Sequence, residues 1–309
     1  MVLLYGIPGD GPFELVADAL EEAGTDFVII NPRHFNEIDF VLHIHDGIIE
    51  GEISIGAKSY SLNSITGVYN RAIEFSMLPE AQLLDKNSIM YKRYAKMFEV
   101  FNQWIEIASC RVVNKASAMS SNGSKPYQQL LIQPFFAVPE TEITNSPKVV
   151  GEFRQQHGEI IYKSASSVRS VVQTITNNDA QNFQNIRYCP TLFQQRLRGC
   201  NYRVHVIGKK VFAVKAETET VDYRYSNREA KETILSDVDL PADVAQKCIS
   251  LAQDLQLSFA GIDLFLTDDG QWYCFEVNSS PAYSYFELNS GLKISTALAR
   301  SLINHGTKI

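Results

Sequence analysis

Near the C-terminal end, acidic and amide side chains alternate with apolar ones in a segment typical of a β-hairpin. The segment reads GIDLFLTDDGQWYCFEVN, and its Asp269-Gly270 pair is typical of a two-residue turn because Gly adopts positive φ freely. With that turn, Asp263 lies directly opposite Glu276, and Asn278 lies on the same face. The other face is then apolar and consists of Ile262, Leu264, Leu266, Tyr273, Phe275 and Val277.

Two carboxylates in directly opposed positions repel each other unless one is protonated or a cation lies between them. The oxygens of Asp, Glu and Asn are hard ligands that suit Mg²⁺, which in turn can hold substrate phosphates. The segment therefore predicts a metal site formed by Asp263, Glu276 and Asn278. The alternative is a solvated hairpin face without function. A three-residue turn would also shift the register and separate the acids.

Two lysines stand where they could bind phosphate. Lys163 ends the strand-like run EIIYK and precedes the small-residue loop SASSVRS, which also contains Arg169. Such a loop leaves main-chain amides accessible and can fold over phosphate. Lys125 begins a helix after SSNGS, where a phosphate would meet the amine and the helix-start N–H groups. The alternative for each is an ordinary surface lysine.

Two further segments suit a nucleotide. QQRL, residues 194–197, ends a strand, and a strand-to-loop crossover can present main-chain groups to an adenine edge. Arg203 and Arg224, the latter in DYRYSN, could neutralise a phosphoryl group during its transfer. The alternative is that both arginines are ordinary surface or ion-paired residues.

The surrounding pattern predicts the elements that position these residues. A strand at 2–7, an amphipathic helix ending at Gly24 and a strand in DFVIINP predict an N-terminal α/β unit with a parallel sheet. Residues 91–109 predict a long helix. After about residue 125 the pattern predicts mixed strands and helices, with hairpins around GKK and DG. The turn GIPGDGP lacks the spacing of a dinucleotide-binding fingerprint and is interpreted as a structural turn, with contact to substrate as the alternative.

Composition narrows the class of protein. The chain has 309 residues with 45% hydrophobic and 20% charged residues, which predicts two or three units in a globular body. A formal net charge of −7 argues against nucleic acid as the partner. Five cysteines without a CxxC pair, no apolar run of about 20 residues and no basic signal-peptide segment predict a cytoplasmic protein that is not in a membrane.

Together, the two lysines, QQRL, DYRYSN, GIDL and EVNSSP resemble the ATP-grasp carboxylate–amine ligases. The sequence is similar to the ribosomal-protein S6 glutamate ligase type, with features of the peptide-cyclising graspetide (microviridin-type) ligases. The resemblance covers roughly residues 110–309, and the G-I-D and E-V-N motifs are its specific part. It implies an ATP-grasp fold of α/β (α+β) class, in which nucleotide is held between two α+β subdomains after an N-terminal α/β domain.

The resemblance also implies roles for individual residues. Lys125 and Lys163 are similar to the two phosphate-binding lysines. Asp263, Glu276 and Asn278 match the metal ligands. Gln195, Arg196 and Leu197 are similar to the adenine-binding segment, and Asn201 stands at the ribose contact. Arg203 is similar to an arginine near the transferred phosphoryl group. Arg224 and Asn227 resemble the contacts made by the family's D-F-R-S-N motif.

The sequence departs from the family pattern at several points. Asn201 stands where an acidic ribose contact is usual, and Tyr225 is inserted in the D-F-R-S-N pattern. The loop after Lys163 has no glycine, and SSPAYSYFE replaces the usual small-residue run after the metal asparagine. Tyr283 and Tyr285 in that run either line an acceptor pocket or pack in the core.

The expected function is ATP-dependent ligation with release of ADP. A carboxylate is activated as an acyl phosphate and joined to an amine or hydroxyl, with Mg²⁺, or alternatively Mn²⁺, as the metal. Arg169 and the loop 164–170 are expected to close over the acyl phosphate. Expected partners are small-molecule or peptide substrates and a second copy of the chain in a homodimer or larger homo-oligomer.

Three alternatives stay open at this point: a phosphotransferase on the same fold, a non-catalytic Mg·ATP-binding regulatory protein, and a structural module that binds no ATP. The expected units are residues 1–110, 111–190 and 191–309, which correspond to the N-terminal domain, the central subdomain and the C-terminal subdomain with the metal site.

Overall fold

The computed structural model describes residues 1–164, 173–175, 179–217 and 233–304. Arg169, Arg224, Asn227 and residues 165–170 of the expected closing loop lie outside the described residues. Within the described ranges, every helix is too short or too polar to cross a membrane.

The described residues form strands and α-helices that are numbered here in chain order. The strands are β1 (Val2–Tyr5), β2 (Phe27–Ile30), β3 (Ile38–His45), β4 (Ile48–Ile55), β5 (Lys58–Ser61), β6 (Gly67–Asn70), β7 (Arg111–Val113), β8 (Thr141–Thr144), β9 (Ile160–Ser164), β10 (Gln173–Thr174), β11 (Thr191–Gln195), β12 (Gly199–Ile207), β13 (Lys210–Glu217), β14 (Ile234–Asp237), β15 (Phe259–Thr267) and β16 (Trp272–Asn278). The α-helices are α1 (Gly11–Glu22), α2 (Pro79–Gln82), α3 (Ile89–Ile107), α4 (Ala116–Met119), α5 (Lys125–Ile132), α6 (Pro147–His157), α7 (Ala242–Asp254), α8 (Ser284–Ser290) and α9 (Ile294–Ile303).

The N-terminal part forms a parallel sheet in the order β2-β1-β6-β7. Strand β1 is buried along its whole length, as expected for an apolar strand covered on both faces. Helix α1 buries Phe13, Val16 and Leu20, which recur at helical spacing, and the chain turns at Gly24 with φ +61°. The predicted α/β opening is therefore confirmed. Strands β3, β4 and β5 form a separate antiparallel sheet beside it.

Two antiparallel sheets follow. The central sheet has the order β10-β9-β11-β8, and the C-terminal sheet has the order β14-β13-β12-β15-β16. The predicted hairpin around GKK is present, because Ile207 pairs with Lys210 and Gly208 adopts φ +59° in the turn. One face of the C-terminal sheet packs on α7, on Ile132 at the end of α5 and on Phe136 just after it.

The C-terminal helices return to the N-terminal sheet. Helix α9 packs on α1, and its Leu298 and Leu302 share one apolar core with Val2, Leu4 and Phe259. Strand β7 joins the N-terminal sheet and β11 joins the central sheet. The division at residues 110 and 190 stays a prediction. The chain positions the predicted metal hairpin, β15–β16, at one edge of the C-terminal sheet.

Candidate active site

The two candidate metal carboxylates lie opposite each other on the β15–β16 hairpin. Asp263 pairs directly with Glu276, and Gly261 pairs directly with Asn278. The Asn278 Nδ2 atom donates a hydrogen bond of 3.2 Å to Glu276 Oε1. All three candidate ligands are half-buried, with Asp263 on β15 and the other two at the end of β16. The structure therefore brings the predicted oxygen donors together.

The turn that connects these strands differs from the predicted one. Thr267 N–H donates to Gln271 O at 3.0 Å, and Gly270 N–H donates to Thr267 O at 2.9 Å. The turn thus contains three residues, and the expectation of a two-residue turn at Asp269-Gly270 is wrong. Thr267 Oγ1 also accepts from Gln271 N–H at 3.0 Å, which fixes the longer turn.

A β-bulge restores the register between this turn and the acids. Leu264 pairs with Cys274 instead of the predicted Phe275, whereas Asp263 pairs with Glu276 as predicted, because the register shifts between Asp263 and Leu264. The extra residue of the bulge compensates for the extra residue of the turn. Phe275 consequently leaves the predicted apolar face and packs on Phe265, with ring centroids 5.4 Å apart.

The candidate ligand set fits a hard divalent cation. Two carboxylates and an amide oxygen are suitable donors for Mg²⁺, and their partial exposure leaves room for water and phosphate oxygens. Within the described ranges, no three His, Cys, Asp or Glu side chains form a metal-binding group. The candidate site therefore depends on Asn278 as its third ligand.

Arg203 lies beside this carboxylate pair. On β12, Arg203 is directly opposite Asp263, and its Nη1 atom is ion-paired with Asp263 Oδ1. The Arg203 side chain is 6% exposed and the Asp263 side chain is 15% exposed. Asn201 lies two residues earlier on β12 and hence on the same face of the strand as Arg203. The structure thus places the predicted arginine in direct contact with the predicted metal site.

Gly261 makes room for the Arg203 guanidinium. A Cβ at Gly261 would collide with Arg203 and would lie 2.6 Å from the Cβ of Pro281. Because an ordinary side chain requires more space, the glycine of the G-I-D motif allows the arginine to pass over the strand toward Asp263.

A fully buried histidine holds the other side of the arginine. Arg203 Nε donates to His205 Nε2 at 3.4 Å, and His205 lies among the rings of Phe259, Tyr283 and Phe286. Burial, together with the nearby Arg203 charge, holds the pKa of His205 well below its ordinary value. A neutral His205 can accept this hydrogen bond from Arg203, which helps to fix the guanidinium position.

Lys163 lies on β9 of the central sheet, next to the buried Gln194 of β11. The Lys163 Nζ atom donates to Gln194 Oε1 at 3.5 Å, and Gln194 is 2% exposed. The Gln194 Nε2 atom donates in turn to Thr141 Oγ1 at 3.1 Å. The predicted phosphate lysine is therefore held by a polar chain inside the central sheet.

The predicted adenine segment follows β11 directly. Gln195 N–H donates to Glu140 O and Arg196 N–H donates to Glu159 O, each at 3.0 Å. Arg196 also forms an ion pair of 3.3 Å with Glu159. These two N–H groups are thus used within the protein, and the segment is anchored to the central sheet on both sides.

Lys125 is the first residue of helix α5, as the sequence predicts. The same helix carries Gln128, which is 5% exposed and contacts the metal-ligand strand. The Gln128 Nε2 atom donates to Val277 O at 2.8 Å, and Val277 N–H donates to Gln128 Oε1 at 3.0 Å. One helix therefore joins a candidate phosphate lysine to the strand that carries Glu276 and Asn278.

The family of the chain follows from its sequence over this region. The model of the RimK-like ATP-grasp domain matches residues 126–302, more than half of the 309 residues. The chain belongs to the RimK-like ATP-grasp family. The predicted family and fold class are therefore confirmed.

Solved structures extend the similarity of this ATP-grasp protein to nearly its whole length. The macrocyclase MdnC from Microcystis aeruginosa MRC, solved with the precursor peptide MdnA, is 20% identical with a TM-score of 0.79, over 98% of this chain and 100% of that chain. The ATP-grasp ligase of Chryseobacterium gregarium, solved with ADP and a leader and core peptide, is 18% identical with a TM-score of 0.81, over 98% and 96%. The ATP-grasp ligase PsnB, solved with a precursor variant, Mg and ADP, is 22% identical with a TM-score of 0.77, over 98% and 97%.

These likenesses show that the ATP-grasp protein has the same fold as those structures. A comparison with curated protein sequences gives no match. The prediction of an ATP-dependent ligase that uses ATP and Mg²⁺ agrees with the family and with the ligases among the solved structures.

The loop after Asn278 is held by two side chains that sequence reasoning missed. Asn114 Nδ2 donates to Ser279 O at 2.6 Å and to Phe259 O at 2.7 Å. Arg71 Nη1 donates to Ser280 Oγ at 3.2 Å and to Pro281 O at 3.3 Å. Asn114 follows the apolar pair Val112-Val113, and such an isolated amide after a buried segment was the available sequence signal.

The N-terminal Gly/Pro turn of this ATP-grasp protein has a structural role. Its Asp10 is ion-paired with Arg71, and Tyr283 Oη donates to Pro12 O at 2.9 Å. Of the two tyrosines after the metal asparagine, Tyr283 is fully buried and packs in the core, whereas Tyr285 is 46% exposed. Tyr285 therefore remains available to contact a substrate.

Proposed function

We propose that this ATP-grasp protein is a peptide-modifying ligase that activates side-chain carboxylates with ATP and joins them to amine or hydroxyl groups. The observation that carries the proposal is the cluster of Asp263, Glu276 and Asn278 beside Arg203 in the C-terminal sheet. A hard-ligand metal site with an adjacent arginine suits the transfer of a phosphoryl group from a nucleotide.

Support for a peptide substrate comes from the solved structures. MdnC was solved with the precursor peptide MdnA, and the Chryseobacterium gregarium ligase was solved with a leader and a core peptide. The present chain matches both over nearly the full length of each protein. In this proposal a peptide therefore supplies both reacting groups. Asp or Glu provides the carboxylate, and Lys, Ser or Thr provides the nucleophile.

The reaction has two steps. A carboxylate oxygen of the peptide attacks the γ-phosphorus of ATP, the bond from that phosphorus to the β–γ bridging oxygen breaks, and ADP leaves. An amine or hydroxyl then attacks the carbonyl carbon of the acyl phosphate, loses its proton to solvent, and inorganic phosphate leaves with the bonding electrons. When both groups belong to one peptide, the product is that peptide minus one water.

The side chains of the described residues have proposed roles in binding and orientation. Lys125 and Lys163 bind the nucleotide phosphates, and Arg203 stabilises charge on the transferred phosphoryl group. A bound Mg²⁺ or Mn²⁺, held by Asp263, Glu276 and Asn278, would supply charge neutralisation at the phosphates.

The adenine and ribose contacts are part of the same proposal. Since the N–H groups of Gln195 and Arg196 already donate within the protein, adenine is bound through the carbonyls of this segment and the main chain of Leu197. Asn201 is proposed to contact the ribose. Arg169, Arg224 and Asn227, which lie outside the described residues, keep their predicted roles at the phosphoryl group and nucleotide.

The test is to incubate the purified protein with ATP, Mg²⁺ and synthetic peptides that combine Asp or Glu with Lys, Ser or Thr. We expect ADP release together with a peptide that has lost one water for each bond formed, measured by mass spectrometry. Methylation of the peptide carboxylates is the matched control and should abolish both signals.

Other outcomes would identify another function. A stable phosphorylated peptide would identify a phosphotransferase. Nucleotide binding without ADP release across the peptide set would indicate a regulatory protein. The absence of any thermal stabilisation by Mg·ATP would indicate a structural module. The cytoplasmic location stays a prediction. The homodimer or larger assembly also stays a prediction, and light scattering can test it.

A further inference from the structure

Two neighbouring glutamines on helix α5 make different contacts with the two sheets that flank the proposed nucleotide site. Gln128 exchanges two hydrogen bonds with the main chain of Val277 on β16. Gln129 Nε2 donates to Thr141 Oγ1 at 2.9 Å, at the start of β8 in the central sheet. Helix α5 is therefore bonded to both sheets through adjacent residues.

The contact of Gln128 lies in the middle of the candidate metal ligands, since Val277 separates Glu276 from Asn278. Strand β16 is at the edge of the C-terminal sheet, so its outer main-chain groups have no neighbouring strand in that sheet. The Gln128 amide donates and accepts as a neighbouring strand would. Gln128 thus fixes the main chain between two ligands that must converge on one ion.

The β-bulge makes this contact available. Cys274 N–H donates outward to Ala137 O at 2.9 Å, and Val277 N–H donates outward to Gln128. Because main-chain groups alternate between the edges of a regular strand, residues three apart would point to opposite edges. The extra residue of the bulge between them turns both N–H groups to the same edge. Gln128 and Ala137 therefore both bind the outer edge of β16, one on each side of the bulge.

Gln129 is connected to Lys163 by a chain of side-chain hydrogen bonds. The Thr141 hydroxyl accepts from Gln129 and from Gln194, and it donates to Pro139 O at 2.9 Å. Gln194 accepts in turn from Lys163 Nζ. Gln129 therefore holds the hydroxyl that orients Gln194, and Gln194 orients the candidate phosphate lysine.

We propose that Gln128 and Gln129 are positioning residues that set the distance between the metal ligands and the phosphate-binding lysines. Gln128 holds the metal-ligand strand, and Gln129 holds the polar chain that ends at Lys163. Lys125 begins the same helix, so both phosphate lysines are fixed relative to Glu276 and Asn278 through α5. The inference rests on the proposed function, because it assigns the geometry of that nucleotide site.

The experiment measures binding of ADP alone and of ADP with increasing Mg²⁺ by isothermal titration calorimetry. The variants are Gln128→Met and Gln129→Met, which remove the hydrogen bonds and approximately keep the volume of the side chain. Gln246→Met, on the exposed surface of α7, is the matched control and should bind as the wild type does.

For Gln128→Met we expect the Mg²⁺ concentration at half-saturation to rise about 10- to 100-fold, as is usual when a group that orients metal ligands is removed. Its affinity for metal-free ADP should change less than twofold. For Gln129→Met we expect the reverse, with weaker binding of metal-free ADP and little change in the Mg²⁺ requirement. A purely structural role would lower the thermal stability of either variant without separating the two binding constants.

Gln128→Glu supplies a second variant if Gln128→Met does not fold. The carboxylate still accepts from Val277 N–H but cannot donate to Val277 O unless it is protonated. We therefore expect a raised Mg²⁺ requirement at pH 8 that decreases toward pH 5.5 relative to the wild type.

Equal Mg²⁺ requirements for the wild type and both folded Gln128 variants would overturn the inference while leaving the proposed function intact. If the wild type itself does not bind ADP with Mg²⁺, the proposed function and the inference are both wrong. The wild-type titration therefore distinguishes the two failures.

Discussion

Arg203 and Asp263 lie directly opposite each other on β12 and β15, and their side chains form a largely buried ion pair. Asp263 is paired on its other side with Glu276. The three side chains carry a net charge of −1 when both acids are ionised, so a divalent cation bound there would reverse the local charge. The positive charge of Arg203 therefore offsets part of the repulsion between the two carboxylates.

Replacing Arg203 should strongly destabilise the fold. Arg203→Met leaves Asp263 part-buried without its cation, and removal of one partner of such a pair costs about 3–5 kcal/mol. Urea denaturation should show this loss in the free energy of unfolding. Asp263→Asn in the Arg203→Met background should recover part of it, because the uncompensated charge is then absent. Strictly additive effects of the two substitutions would contradict the pairing.

Glu276→Gln should remove activity without weakening the fold. Replacement of this candidate ligand should lower ADP formation at least about 100-fold, on the scale of losing one electrostatic contact to the transferred group. In metal-free buffer the free energy of unfolding should stay the same or rise, because Glu276 and Asp263 no longer repel. Glu152→Gln on the exposed surface of α6 is the control. Normal ADP formation by Glu276→Gln would make the metal assignment wrong.

Gly261→Ala should displace the arginine. The new Cβ would collide with the Arg203 guanidinium and Pro281, so we expect a loss of about 1–3 kcal/mol in the free energy of unfolding and a fall in ADP formation. Gly151→Ala on α6 is the matched control because, apart from neighbouring residues and the adjacent helix backbone, no heavy atom lies within 4 Å of its new Cβ. That control should be neutral or stabilise the protein by about 0.5–1 kcal/mol. Equal effects at the two positions would exclude the steric explanation.

The sequence was sufficient to predict that Asp263 lies opposite Glu276, although the predicted length of the turn was wrong. The alternation of polar and apolar residues depends on one buried face, and Ile262, Leu264 and Val277 do occupy one core. The turn length and the bulge both changed the register, and the two changes compensated at the acids. Register at the functional end of the hairpin is thus set by the core, with the turn adapting to it.

The supporting residues could not be predicted in the same way. Gln128, Asn114 and Arg71 contact the metal-ligand segment from 149 to 210 positions away in sequence. Each of these side chains binds main-chain atoms. Because every residue has the same main-chain atoms, the sequence contains no particular residue type that would identify the partner. Such contacts depend on how the sheets pack together, so local pattern and turn chemistry do not predict them.

His205 should make the stability of the protein sensitive to mild acid. Its pKa is held well below the ordinary value of 6.5 by burial and by the Arg203 charge, so the folded state keeps it neutral. Below about pH 6.5 the unfolded chain binds a proton that the folded chain excludes. The free energy of unfolding should therefore fall as the pH falls, by up to about 1.4 kcal/mol per pH unit from this group.

His205→Gln, which can still accept a hydrogen bond from Arg203, should reduce that dependence of the unfolding free energy on pH, measured by urea denaturation at pH 5, 6, 7 and 8. His34→Gln is the control at an exposed histidine. Identical slopes for the wild type and His205→Gln would show that His205 does not cause the acid sensitivity.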